Sequence, residues 1–458
     1  MISKWVAAEM QTLDLGDKRN NARALHLMSA LAAQPACSIP VACGSKSQAK
    51  AAYRHLDLDV DAQRWLAAHY QSTAERAGAY PFVYALSDTT ELEFAVDAEG
   101  AGPLDSSFCR GLKAHHVLAV SPDGLPLGLV DQQVWARDAE EIGKRHTRRS
   151  RAPKEKESWK WMSAAEAAEE RLPKGVGVVY VADREADVYS VLAAERRPGM
   201  EFLIRAAHNR RLKDSEYRTL MEAVEGAPVL GNRTLTVPRT KTWPEREATL
   251  EIRSAPVTLL PPKNGTNGKD LGPVRTTVVL AREAGEVPAG VKRLEWLLLT
   301  DRVVGSLEEA LWCVNGYALR WRVERFHFTL KSGTSVEKLQ LETADRLKRA
   351  LAIYSIIAWR LLSLTYLARV EPDAPCTQVL EEDEWKALVL MQPAKRGVKP
   401  ALVPPSIREA VRQIAAWGGF LGRKGDGEPG VKSLWIGWRR FMDYTDAYRR
   451  LRQDVGNG

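Results

Sequence analysis

The sequence predicts an α/β protein with a β-strand insertion and helical domains at both ends, and three observations carry that expectation. Short apolar, β-branched runs alternate with amphipathic helical segments through the middle of the chain, the strongest run being Gly175-Val-Gly-Val-Val-Tyr-Val-Ala-Asp183. Between about 206 and 290 the pattern changes to closely spaced strands separated by turn residues. The first 70 residues and those after 370 carry helical periodicity. A chain of 458 residues exceeds one ordinary hydrophobic core, so the expected division is 1–70, 71–369 and 370–458.

In chain order, Leu15-Gly-Asp17-Lys18-Arg19 offers Asp17 as an N-cap for a helix reaching 33, with Leu25, Met28, Leu31 and Ala32 on its apolar face. Pro35 and Pro40 bracket a loop, and Ser45 opens a helix rich in small and basic residues. Arg19, Arg23, Lys46, Lys50 and Arg54 give this module a basic surface suited to DNA phosphates, or simply the scattered cations of any exposed helix. Phe82–Asp88 is a short strand ending in an acid, and His116–Val120 and Pro126–Val130, joined through Ser-Pro-Asp-Gly, predict a hairpin. Seven basic residues against one acid between Lys144 and Lys156 predict a loop that meets phosphates.

A helix over 158–172, with Trp159, Met162 and Ala165 to Ala168 marking its apolar face, precedes Gly175–Asp183, whose β-branched density places it mid-sheet and which again ends in an acid. A helix from Arg184 to about Arg196 and a strand Glu201–Arg205 follow. The insertion holds strands at Arg233–Val237, Ala248–Arg253 and Thr276–Leu280 with a loop at 261–268; Leu294–Thr300 then re-enters the core, and Ser306-Leu-Glu-Glu309 is a capping box. Ala344–Val370 reads as a long apolar helix and Ser406–Trp417 as an amphipathic one. The glycine-rich stretch 418–430 lacks the Lys-Ser/Thr pair of a phosphate-binding P-loop and lies outside any βαβ unit, which argues against a nucleotide site.

Lys and Arg number 66 against 58 Asp and Glu, a formal charge of +8 that suits a polyanion such as nucleic acid and would also suit a membrane surface. Five cysteines at 37, 43, 109, 313 and 376 form no CxxC pair, so neither a zinc site nor a disulfide framework is expected. With no basic-then-apolar leader and no run of 18 apolar residues, a soluble, cytoplasmic protein is the expectation.

One stretch stands apart. Tyr317, Arg320, Glu324 and Lys331 fall within about 60° of one another if residues 317–331 form a single α-helix, with Leu319, Val323, Phe326 and Leu330 on the opposite side. A carboxylate flanked by donors suits metal-dependent phosphoryl transfer, and Arg320/Glu324 at i,i+4 equally suits an ordinary solvated face. Asp88, Asp183 and Glu324, two at strand ends and one on this helix, are three carboxylates able to hold two Mg²⁺ ions if they converge. The alternative is three unrelated surface acids.

These residues carry a resemblance. The Tyr317, Arg320, Glu324, Lys331 spacing is similar to the Y-(2)-R-(3)-E-(6)-K signature of a cut-and-paste group of bacterial insertion-sequence transposases of the DDE class. Further matching blocks are Leu15-Gly-Asp-Lys-Arg19 with Arg23, Ser87-Asp-Thr-Thr90, Val181-Ala-Asp-Arg-Glu-Ala-Asp-Val188, Phe202-Leu-Ile-Arg205, Trp296-Leu-Leu-Leu-Thr300 and Leu434-Trp-Ile-Gly-Trp438. The resemblance implies an RNase H-like mixed sheet flanked by helices, between a helical DNA-binding domain and a mainly helical dimerisation domain.

It also implies roles. Asp88, Asp183 and Glu324 would be the catalytic acids holding two Mg²⁺ ions, with Mn²⁺ able to substitute. Tyr317, Arg320 and Lys331 would clamp phosphates, Trp296 would stack on a flipped base, Arg184 and Arg205 would touch DNA beside the acids, and Arg19, Arg23 and Lys46 would contact the element end. Nicking, hairpin formation, hairpin opening and strand transfer would be performed by a homodimer on DNA with terminal inverted repeats, in the bacterial cytoplasm at the nucleoid. His208-Asn209-Arg210 departs from the family's hairpin-supporting loop, and Phe328-Thr-Leu is less basic than its counterpart. A catalytically silent DNA-binding regulator derived from such an enzyme is the alternative, and the intact acid set argues against it.

Overall fold

A computed structural model of the chain describes all residues except 1, 95–96, 106–108, 142–151, 214–215, 238, 240–241, 263–270, 393–400 and 457–458. Most of the basic segment 144–156 and of the loop 261–268 therefore lies outside the described residues. The chain divides into two units, the first comprising Met1–Ala79, Thr89–Glu140 and Arg322–Gly458, the second Tyr80–Asp88 and Glu141–Trp321.

The first unit begins with five helices: α1 (Lys4–Glu9), α2 (Lys18–Ala33), α3 (Ile39–Cys43), α4 (Lys46–Leu56) and α5 (Ala62–Ala77). Asp17 caps α2 by accepting from the Arg19 N–H at 2.6 Å, and Ser45 caps α4 in the same way from Gln48. On α2 the buried residues are Ala24, Leu27, Met28, Leu31 and Ala32, while Leu25 is only half-buried. Pro40 lies inside α3 rather than in a loop, since a proline's missing N–H costs nothing in the first turn.

Next come the second half of β1 (Phe82–Glu93), then β2 (Gly102–Pro103), β3 (Arg110–Val120) and β4 (Pro126–Trp135). In this unit β3 lies beside β1 and pairs antiparallel with both β2 and β4. The expected hairpin is present, with Val120 opposite Pro126. Its β4 strand meets α5 so closely that a Cβ on Gly128, at φ +152°, would stand 1.9 Å from the Thr73 hydroxyl oxygen. Only glycine fits there.

Residues of the second unit supply the first half of β1, α6 (Trp159–Arg171), β5 (Gly177–Ala182), α7 (Tyr189–Ala193), β6 (Met200–Arg205), α8 (Leu220–Gly226), β7 (Val229–Val237), β8 (Arg246–Leu259), β9 (Val274–Glu283), β10 (Glu295–Thr300) and α9 (Leu307–Ala318). Strand order here is β1-β5-β6-β10-β9-β8-β7; β1, β5 and β6 run parallel and the rest antiparallel. The insertion strands thus extend the same sheet. As its sequence demands, β5 is buried, with Val178, Tyr180, Val181 and Ala182 at most 1% exposed.

Two helices differ from expectation. On α6 the buried face includes Ala165, Ala167 and Ala168 as expected, but with Trp161 and Ala164 rather than Trp159 and Met162, because packing on β5 selects it, with the Tyr180 hydroxyl donating to the Trp161 carbonyl at 3.1 Å. The helix expected over 184–196 is only a 3₁₀ turn, Arg184–Ala186, followed by the short α7.

The first unit resumes with most of α10 (Trp321–Phe328), a π-helical turn (Thr329–Gly333), α11 (Ala344–Val370), α12 (Glu382–Leu390), α13 (Ile407–Trp417) and α14 (Val431–Gly456). Being apolar on nearly every side, α11 must be covered on every side. It packs on α5, β4, α2, α13 and α14. Its length and hydropathy would suffice to cross a membrane, but 83% of its most apolar window is buried, as in a core helix.

Beside α11 sits a buried ion cluster. Glu9 accepts from His69 Nδ1 at 2.6 Å and from both Arg76 terminal nitrogens at 2.8 and 2.9 Å, and the Arg76 guanidinium lies 4.3 Å from the Trp359 ring centre. His69 Nε2 accepts the Leu129 N–H, which fixes the tautomer with its proton on Nδ1. Burial alone would push the Glu9 carboxyl up, but His69 and Arg76 together overcome it and hold the group at about 2. Because the folded value lies below 4.5, the stabilisation is complete above that pH and is lost as pH falls through about 2. Glu9→Ala is expected to cost about 3 kcal/mol at pH 7, the lower end for a broken buried pair because Arg76 is a third exposed. Urea unfolding of wild type and variant at pH 7 and pH 3 checks this: their difference should shrink at the lower pH.

Candidate functional site

Parallel strands in register place matching residues side by side, and this is how the second unit brings two acids together. Ser87 of β1 pairs with Ala182 of β5, so Asp88 stands beside Asp183, the residue that follows β5; β1 itself does not end at Asp88 as expected but runs on to Glu93. The apolar runs Val83–Leu86 and Val178–Ala182 fix this register by burial. The Asp183 side chain caps the following 3₁₀ turn by accepting the Glu185 N–H at 2.8 Å. Burial raises its pKa, and the nearby Glu185 charge adds to that, while the Glu185 N–H, Arg320 and Lys160 pull the other way and do not prevail.

Arg320 is the cation of this pair. Its Nη1 lies 3.2 Å from Asp88 Oδ2, with side chains 10% and 16% exposed. Around it stand Tyr317, 2% exposed, and Trp296, whose ring meets that of Tyr317 edge-on at 5.4 Å. Burial pushes the Tyr317 hydroxyl up, opposed by Arg320 and by a hydrogen bond with Arg205. Arg205, the last residue of β6, also donates to the Glu295 carbonyl at 2.7 Å. Arg184 projects exposed from the turn after Asp183. The second unit therefore gathers Asp88, Asp183, Arg184, Arg205, Trp296, Tyr317 and Arg320.

Sequence reasoning missed two members of this region. Lys160 of α6 is 8% exposed, 3.3 Å from Glu185, and acts on Asp183 electrostatically. Its flanking Trp159 and Trp161 were the available signal, since a lysine between two tryptophans on a sheet-packed helix has its stem buried. Asp187, 3% exposed, accepts from the Ala207 and His208 N–H groups at 2.8 and 3.0 Å and from Arg210 Nε at 3.0 Å. In this way it shapes the departing loop 208–210, and Arg210 turns inward to an acid.

Glu324 and Lys331 belong to the first unit. Glu324 is half-buried on α10, whose opposite side buries Val323 and Phe326 completely. His327 Nε2 meets His116 Nδ1 at 3.1 Å, and His116 Nε2 meets Gln132 Oε1 at 3.0 Å. Since Gln132 Oε1 only accepts, His116 carries its proton on Nε2 and receives one from His327. His115 and His116 are both fully buried and so are not DNA-facing. Lys331 lies 3.7 Å from Glu337.

The single helix expected over 317–331 is broken twice. The Leu319 N–H is shared among the Asn315, Gly316 and Tyr317 carbonyls, and Arg320 bonds back three residues to Tyr317, so α9 ends in a tight turn before α10. At the other end, Thr334 bonds back five residues to Thr329, widening the last turn, while the Thr329 and Thr334 hydroxyls occupy the Arg325 and Leu330 carbonyls. Residues 317–331 therefore do not form the one regular helix that the stripe presupposed. In the amino-terminal module Arg19, Arg23 and Lys46 are all exposed, and Arg19 is 3.6 Å from Asp17.

Among the described residues no group of three or more His, Cys, Asp and Glu side chains is placed to hold a metal ion. The second unit does provide two hard carboxylate oxygen donors side by side, Asp88 within β1 and Asp183 just after β5, with a guanidinium on one of them standing in for a cation. That donor set fits Mg²⁺ or Mn²⁺ better than a soft or borderline metal.

Three family models match the chain in succession. Residues 2–59 match transposase DNA-binding, residues 55–361 match the transposase DDE domain, and residues 356–457 match the transposase Tn5 dimerisation domain. Both acids, the cationic cluster around them and Glu324 fall within the second match, and the mixed sheet flanked by helices is the architecture of an RNase H-like transposase. With well over half its length in that match, the chain belongs to the DDE transposase family, whose members cut DNA strands and join them.

Proposed function

We propose that this protein excises and inserts an insertion sequence by cut-and-paste transposition, using Asp88, Asp183 and Glu324 as its catalytic acids. The observation that carries the reading is the side-by-side placement of Asp88 in β1 and Asp183 just after β5 within the segment that matches the DDE domain. Glu324 completes the set from the same matched segment, on a helix whose buried Val323 and Phe326 fix its orientation. DDE transposases generally use divalent metal ions, and these carboxylates would hold Mg²⁺. A divalent cation held there supplies activation of the attacking hydroxyl and stabilisation of the departing 3′-oxygen.

Four displacements at phosphorus account for the activity. Water adds to a phosphodiester at the element end and the 3′-oxygen leaves as a hydroxyl. That hydroxyl attacks the opposite strand, releasing its 3′-oxygen and closing a hairpin; water then reopens the hairpin, and the freed 3′-hydroxyl attacks target DNA. Arg320, Arg205, Tyr317 and Lys331 bind and orient phosphate oxygens through these steps, and Arg184 adds an exposed cation. Trp296 stacks on the base extruded at the hairpin.

The division of labour along the chain is 1–70 for DNA-end recognition through Arg19, Arg23 and Lys46, 71–369 for catalysis and 370–458 for pairing two copies across terminal inverted repeats. Ile436, Tyr444 and Leu451 support the last assignment: all three are exposed on α14 and fall within about 80° of one another.

Asp183→Asn and Glu324→Ala are each expected to reduce Mg²⁺-dependent cleavage of a duplex bearing the element's inverted repeat to background while leaving gel-shift affinity within about twofold; cleavage surviving in either variant would falsify the acid assignment. Ile436→Lys combined with Leu451→Glu should leave single-end binding intact and abolish the paired-end complex seen on native gels. Unchanged pairing would remove α14 from the dimer contact.

A further inference from the structure

We infer that Arg320 is the built-in counter-cation of the acid pair and competes with the divalent metal for it. The inference rests on the reading of Asp88 and Asp183 as metal ligands and adds a function to a residue assigned so far only to phosphate contact.

Two carboxylates side by side on neighbouring strands repel each other unless a positive charge lies close. The structure supplies that charge from within the chain. Arg320 is 8% exposed and reaches Asp88 at 3.2 Å, and Asp183 stands beside Asp88 on the neighbouring strand, so one guanidinium lies at the acid pair. It is held from behind by the rings of Trp321 and Tyr317, whose centres lie 5.3 and 5.9 Å away. Its backbone sits in the tight turn that ends α9, the first of the two breaks in the expected helix.

A divalent cation approaching Asp88 must therefore work against a fixed positive charge already bonded to that carboxylate. Either the guanidinium moves off or metal binding is weakened by like-charge repulsion. A DNA phosphate relieves the conflict, because a planar guanidinium pairs with phosphate as well as with carboxylate. Arg320 is thus a positioning residue that lowers metal affinity in the DNA-free protein and leaves the acids to the metal once phosphate arrives. By linkage, any phosphate that draws Arg320 away strengthens metal binding, and metal strengthens that phosphate contact equally.

The test is Mn²⁺ affinity of the full-length, DNA-free, chelator-washed protein, read from the electron paramagnetic resonance signal of free Mn²⁺. Arg320→Gln is expected to bind Mn²⁺ about tenfold more tightly than wild type, and Arg320→Lys about threefold more tightly, since its ammonium keeps the charge but loses the fork. Thermal unfolding should show Arg320→Gln less stable than wild type without metal and raised further than wild type by Mn²⁺. A merely structural arginine would give the opposite sign, because disrupting the site weakens metal binding. Equal or weaker Mn²⁺ binding by Arg320→Gln, alongside loss of binding in Asp183→Asn, overturns the counter-cation and leaves the metal reading standing. Wild-type Mn²⁺ binding by Asp183→Asn overturns the metal reading and this inference with it. If Arg320→Gln does not fold, Arg320→Lys decides, and an affinity equal to wild type overturns the inference.

Discussion

The parallel, in-register pairing of β1 with β5 is the constraint on which the candidate site depends. Six consecutive residue pairs, Phe82 with Gly177 through Ser87 with Ala182, set where Asp88 and Asp183 stand relative to each other. A slip of one residue would carry one acid to the opposite face of the sheet. Register is protected because both strands are buried on both faces, so any slip would put apolar and polar residues out of place along the whole pair. The chemistry at the two acids therefore inherits its precision from hydrophobic packing several residues away.

Features set by local chemistry were legible in the sequence. Asp17 capping α2, Ser306 with Glu309 boxing the start of α9, the hairpin of β3 and β4, and the bounds of α11 all follow from residues within a turn or two of one another. What was not legible depends on distant partners. Arg320 is drawn to Asp88 across 232 residues, and no periodicity near 320 announces that contact or the break in the helix beside it. The face of α6 follows from β5, so Trp161 rather than Trp159 is buried. Both acids were readable as closing apolar runs, and for Asp183 the strand does end there, whereas β1 continues past Asp88 to Glu93. That they lie side by side required the register, which a single sequence does not encode.

The excess of positive charge gains meaning from where it stands. Arg320 and Arg205 are buried or half-buried beside acids, carbonyls and rings, where their geometry is fixed, whereas Arg19, Arg23 and Lys46 extend from helices into solvent. Fixed cations can orient a phosphate for reaction, because their ordering cost was met on folding. Mobile surface cations mainly attract and retain a polyanion, in a manner that weakens with salt. These cations therefore divide into two populations, one fixed by burial and contacts and one exposed on helices.

The block Ala182-Asp-Arg-Glu-Ala-Asp187 shows how burial and hydrogen bonding separate structure from chemistry within a few residues. Asp187 is buried and accepts from two backbone N–H groups and a guanidinium, so its charge is fully answered by the fold and its task is to hold the chain at 207–210. Asp183, four residues earlier, accepts one backbone N–H, and its carboxyl remains raised by burial despite Arg320 and Lys160 nearby. A raised carboxyl in that setting is one whose ionised form has too few donors and too little positive charge around it. The protein supplies part of that charge through Arg320 and Lys160. Of two aspartates in one block, one is fully answered by the fold and the other is left electrostatically incomplete.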